Sequence, residues 1–130
     1  MATELWTNLP VKNLEKSKAF FHAIGFAVQS IGDGVQVAVK NSKVMLFPEA
    51  RFETFAHHQV ADARNGTEVL FSIGAETREE VNELVDKVEK AGGTIFAKPG
   101  LTDGWLYGMG FIDLDGHRWN ALHMDMEKMP

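Results

Sequence analysis

The residues able to do chemistry are five histidines, the carboxylate of Glu68 in the run TEVLFSI, and an acidic turn, Asp113-Leu114-Asp115-Gly116. Imidazole and carboxylate groups bind divalent metals and exchange protons near neutral pH, so the placement of each decides what it can do. His57 and His58 are adjacent, so in an extended segment they point apart and read as solvated loop residues. His22 follows Phe21 in a helical pattern and falls at an exposed rim, while His117 is expected to cap or solvate the turn before it. The chain has no cysteine, which removes thiolate ligands, a thiol nucleophile and disulfides together. It also lacks G-x-S-x-G and a P-loop, and Gly108-Met109-Gly110 sits in a strand context rather than opening a helix.

The acidic turn is flanked by two apolar runs within Phe111 to Asp125, which predicts a β-hairpin. Past the turn, Arg118, Asn120 and Leu122 fall on one face of a strand, and Trp119, Ala121 and His123 on the other. The first face is a candidate pocket floor. His123, of opposite parity, is expected to face a helix layer or a partner chain.

A length of 130 residues suits one domain, 1–130, and a hydrophobic fraction of 45% with 24% charged residues predicts an ordinary globular core. A net charge of −5 without a dense basic run argues against nucleic acid as a partner. No apolar run approaches the ~20 residues needed to cross a bilayer, and the N-terminal stretch has no signal-peptide pattern. A soluble cytoplasmic protein without a membrane partner is the expectation.

The elements that must position these residues follow from periodicity. Leu5 to Val11 alternates as a strand, and Asn13 caps a helix at Leu14–Ile24 that Gly25 stops. Phe26 to Ile31, Val35 to Val39 and Val44 to Phe47 then read as three strands. Residues 48–66 break the pattern and form a connector, with room for a helical turn. Thr67 to Ile73 reads as a strand, and Thr77 with Glu80 forms a capping box for a helix at Arg78–Ala91. Thr94 to Ala97, Trp105 to Ile112 and His117 to His123 complete the chain. The fold class is therefore α+β, with two βαβββ modules at 3–47 and 67–124. Each has a helix on one sheet face, and the free faces are expected to curve around a cavity.

The run LPVKNLEKSKAFFHAIGF and the D-x-D-G turn between two final strands resemble the vicinal oxygen chelate superfamily, which contains glyoxalase I, bleomycin-resistance proteins and extradiol dioxygenases. TEVLFSI, REEVNELVDK and LYGMGFIDLDGH are similar to bacterial predicted lactoylglutathione lyases. The resemblance implies a homodimer and a divalent metal held by one side chain from the first and last strand of each module. Carried over, those positions hold Trp6, Met45, Glu68 and Asn120. An indole only donates, a thioether suits soft metals, and a neutral amide is weak, so one strong ligand remains and no metal cofactor is expected.

The presumed inner face then carries Trp6, Asn8, Met45, Phe47, Glu68, Arg118 and Asn120, with Leu70, Leu122 and either Tyr107 or Met109. Such a mostly apolar lining suits a small organic ligand, although large side chains on an inner face also serve simply as core. Glu68 among apolar neighbours should find a partner, with Arg118 the expected one. Two functions remain open. One is a metal-free small-molecule-binding module. The other is a glyoxalase-like lyase or isomerase acting on a small carbonyl or thiol adduct, with Glu68 as catalytic base.

Overall fold

Alternating apolar residues at Leu9 and Val11 start a strand, β1 (Thr7–Val11), that buries both beneath the first helix layer. The computed structural model describes residues 1–130. Asn13 ends the strand segment and caps α1 (Leu14–Ala23), its side chain accepting a hydrogen bond from the Lys16 N–H. Ser17, Phe20 and Phe21 recur at helical spacing and form the buried stripe of α1. Gly25, at φ 108°, releases the chain into β2 (Ala27–Ile31), followed by β3 (Gly34–Val39) and β4 (Ser42–Pro48). These strands form a sheet of order β1-β4-β3-β2, with β1 parallel to β4 and the other pairs antiparallel. Val35, Val37 and Leu46 line its buried face.

The connector contains a full helix, α2 (Glu49–Ala56), where the sequence left room only for a turn. No residue of α2 is buried, and Phe52, Phe55 and Ala56 are its only large or apolar residues at helical spacing, a stripe too short to announce a helix. It is seated instead by Phe55, whose ring meets Phe47 edge-on with centroids 5.0 Å apart.

The second βαβββ module repeats the order with β5 (Leu70–Gly74), α3 (Arg78–Ala91), β6 (Thr94–Thr102), β7 (Leu106–Ile112) and β8 (Arg118–Met124), in a sheet of order β5-β8-β7-β6. Thr77 caps α3 by accepting from the Glu80 N–H, and the Glu80 carboxylate reaches back to the Glu76 N–H. Val81, Leu84 and Val88 of α3 pack on the sheet face that carries Met109, Phe111, Trp119 and Ala121. The α+β class and the two βαβββ modules are as the sequence predicts.

The chain divides into two compact units, Met1–Asp62 and Ala63–Pro130. Most element ends move by a residue or two, and four shifts bear on the candidate site. β1 begins at Thr7 rather than Leu5, so Trp6 precedes it, and β5 begins at Leu70 rather than Thr67, so Glu68 lies in a bend before it. β6 runs to Thr102 instead of stopping at Ala97, and Arg118 rather than His117 opens β8.

Candidate functional site

In the first unit, β1 and β4 pair Asn8 with Met45 and Pro10 with Phe47, which puts Asn8, Met45 and Phe47 on the sheet face opposite α1. Phe47 is engaged there by Phe55 of α2, so its expected ligand-gripping face is already a packing surface. Trp6 is 48% exposed, and the Lys43 ammonium lies 5.1 Å from its ring centroid.

In the second unit, Arg118, Asn120 and Leu122 share the β8 face turned away from α3, as their parity requires. Tyr107 does not join them. Its hydroxyl donates to Asn82 Oδ1 of α3 at 2.6 Å, and the Arg78 guanidinium lies 4.9 Å from its ring. The hairpin register explains the correction. Phe111 pairs with buried Trp119, so Tyr107 and Met109, four and two residues earlier, must share that helix-facing side.

Glu68 is exposed in its bend and does not pair with Arg118. The Arg118 guanidinium instead lies over the Phe96 ring, 4.8 Å from its centroid. His123 stays on the helix side, with Nδ1 3.2 Å from the Ala75 carbonyl.

A groove of about 360 Å³ opens on the free face of β6, β7 and β8, with Phe96, Leu101, Leu106, Leu122, Lys98 and Asn120 around it. That volume lies within the usual range for small-molecule sites. Its floor depends on two glycines. A Cβ on Gly110 would collide with the Phe96 ring, and one on Gly108 would lie 2.5 Å from Leu122 Cδ2. The missing side chains let the ring and the leucine lie against the strand. The Asn120 amide oxygen is buried without a hydrogen-bond partner, which marks an under-satisfied polar point in an apolar setting.

Lys98 and Leu101 lie beyond the expected strand end because Lys98-Pro99-Gly100 looks like a strand terminus, while Phe96 and Leu106 fall in expected strands whose facing residues the sequence does not reveal. β6 is an edge strand that absorbs this segment through register shifts between Ile95 and Ala97 and between Ala97 and Gly100. The tolerance of edge strands for proline was the available signal.

The donors at the four carried-over metal positions are an indole, a thioether, an exposed carboxylate outside its strand, and an amide. No three His, Asp or Glu side chains are gathered anywhere so as to hold a metal ion. This donor set does not fit a tightly bound divalent cation. No helix is long and apolar enough to cross a membrane.

The chain is similar to a hypothetical protein from S. aureus of known structure, at 35% identity over 95% of this chain and 94% of that one, with a TM-score of 0.88. It shares its fold with a glyoxalase/bleomycin resistance protein/dioxygenase family enzyme from Burkholderia phytofirmans PsJN, at 17% identity, 92% and 96% coverage and a TM-score of 0.78. It also shares it with a lactoylglutathione lyase from Agrobacterium tumefaciens, at 17% identity, 95% and 94% coverage and a TM-score of 0.69. No curated protein matches it. A family model for the Glyoxalase/Bleomycin resistance protein/Dioxygenase superfamily matches residues 5–121. With that match spanning nearly the whole length, the chain belongs to the glyoxalase/bleomycin resistance protein/dioxygenase superfamily.

Proposed function

We propose that this protein binds a small organic molecule, without a metal, in the groove on the free face of β6, β7 and β8. The observation that carries this reading is the groove itself, apolar along Phe96, Leu101, Leu106 and Leu122 and given a polar point by the unpartnered Asn120 amide oxygen. Small-molecule sites combine these two features, area for affinity and a few polar atoms for orientation. The mismatched donor set supports the metal-free part. A cytoplasmic homodimer completes the reading, supported by the absence of cysteine and by the family resemblance.

The test is fluorescence titration with the neutral probe N-phenyl-1-naphthylamine in the presence of EDTA. Saturable binding that is lost in Ala97→Trp, a substitution at an exposed lining position, is the expected result. Absence of saturable binding, or binding that Ala97→Trp leaves intact, would overturn the proposal.

A further inference from the structure

We infer that the groove's ligand is an apolar anion, a small carboxylic acid with an aromatic or aliphatic body. This inference rests on the groove being a ligand site and adds the charge of what enters it.

Two cations stand at the groove. Lys98 lines it, and Arg118, on the same β8 face as the lining residues Asn120 and Leu122, lies over the lining ring of Phe96. Neither cation has a carboxylate within salt-bridge distance, whereas Lys12, Lys43, Arg51 and Lys128 pair with Glu49, Glu4, Asp33 and Asp125. Arg118 is half-buried, with its guanidinium over an aromatic ring at the edge of the groove, a contact that leaves its N–H groups available to a ligand. A guanidinium so placed matches a carboxylate with two parallel hydrogen bonds.

Phe96 in turn lies against the strand where Gly110 has no side chain, which places the cation beside the groove floor. Glu68, the acid that would have favoured a cationic ligand, is exposed in the bend before β5 and is not among the lining residues. The positive points and the apolar walls together select an apolar body with one negative end.

The experiment displaces bound N-phenyl-1-naphthylamine with 2-naphthoate or with methyl 2-naphthoate, which share a ring system and differ in charge. The expected result is displacement by the acid at a concentration at least tenfold lower than by the ester, with the gap narrowing as salt is raised. Arg118→Gln should close most of that gap, and Lys98→Met, at an exposed position, should narrow it without risk to folding. Equal displacement by acid and ester would overturn the anion while leaving the groove as a binding site. A preference for the acid that neither variant changes would overturn the assignment to Arg118 and Lys98. Failure of the neutral probe itself to bind would remove the groove reading and this inference with it.

Discussion

The Trp119 indole N–H donates to Asp113 Oδ2 at 3.1 Å, joining the two ends of the β7–β8 turn in the buried layer under α3. The other carboxylate oxygen, Oδ1, accepts from the N–H groups of Asp115 at 2.9 Å and His117 at 3.0 Å. Asp113 is 4% exposed, so one side chain closes the turn and orients the largest ring of the core. Phe111 stacks on that ring with centroids 6.0 Å apart, and Phe71 lies at 4.8 Å. The D-x-D-G signature thus works here as a structural clasp. It sets the register by which Arg118 and Asn120 reach the groove face.

Asp113→Asn keeps an acceptor for the turn N–H groups but presents an amide N–H2 to the indole donor. Loss of that bond at a buried site should cost about 1–3 kcal/mol. Urea denaturation should show a lower midpoint with an unchanged slope, because the fold and its buried surface are retained.

The same carboxylate predicts a pH dependence. Burial raises the Asp113 pKa above its ordinary 3.8, against the opposing effects of His117 and of hydrogen bonds from Trp119, Asp115 and His117. A carboxyl group whose folded pKa is raised binds its proton more tightly in the native state, so its contribution to stability falls as pH rises from 3.8 through the folded value. The stability difference between wild type and Asp113→Asn should therefore increase as pH is lowered through that window. A difference that is flat, or that shrinks on acidification, would contradict the burial-dominated shift.

Two glycine substitutions should separate by what a new methyl group meets. At Gly34 the Cβ would lie 2.6 Å from Phe47 Cε1, on a ring that Phe55 packs against, and 2.9 Å from the Leu46 carbonyl oxygen, an atom of the β4 backbone. At Gly110 the closest atoms all belong to the Phe96 ring, on a residue 41% exposed and able to swing outward. Gly34→Ala should cost about 1–3 kcal/mol as overpacking against backbone, and Gly110→Ala less. Gly110→Ala should instead weaken probe binding, because it lifts the Phe96 wall. Melting temperature and probe affinity measured on both variants check the crossing pattern.

The parts of the fold legible in the sequence were those encoded locally. α3 begins and ends where the Thr77–Glu80 box and Gly92 place it, since caps satisfy backbone groups within a few residues. The faces of β8 were equally legible, because alternation needs only strand identity. α2 was not, because its eight residues bury nothing and are held by the Phe47–Phe55 contact between residues of different elements. The groove was missed for a related reason. Its wall is an edge strand with two register shifts, and Phe96 becomes a lining residue only because Gly110 lies opposite Ala97 across the β6–β7 pair.

Metal addition offers a direct check on the donor set. A cation bound to the native state alone stabilises by about 2.7 kcal/mol at a hundredfold excess over its dissociation constant. Ni, Zn or Mn added to chelator-treated protein should therefore leave the melting temperature unchanged. A rise of several degrees would mean that side chains not gathered in this structure assemble around the ion.

Glu68 supplies the sharpest test of the site, because sequence and geometry disagree on it. Its parity matches Leu70 and Ser72 of β5, so a strand starting at Thr67 would have carried the carboxylate on the free face as ligand, base or partner of Arg118. β5 starts instead at Leu70, Glu68 is exposed, and Arg118 is engaged by Phe96. A solvated carboxylate without an ion pair gains little from its charge, so Glu68→Gln should change stability by no more than about 0.5 kcal/mol. Affinity for N-phenyl-1-naphthylamine should also be unchanged, since Glu68 does not line the groove. A loss of stability alone would identify a structural partner for Glu68. A loss of probe affinity alone would return Glu68 to the binding site and extend that site along β5, beyond the groove at β6, β7 and β8.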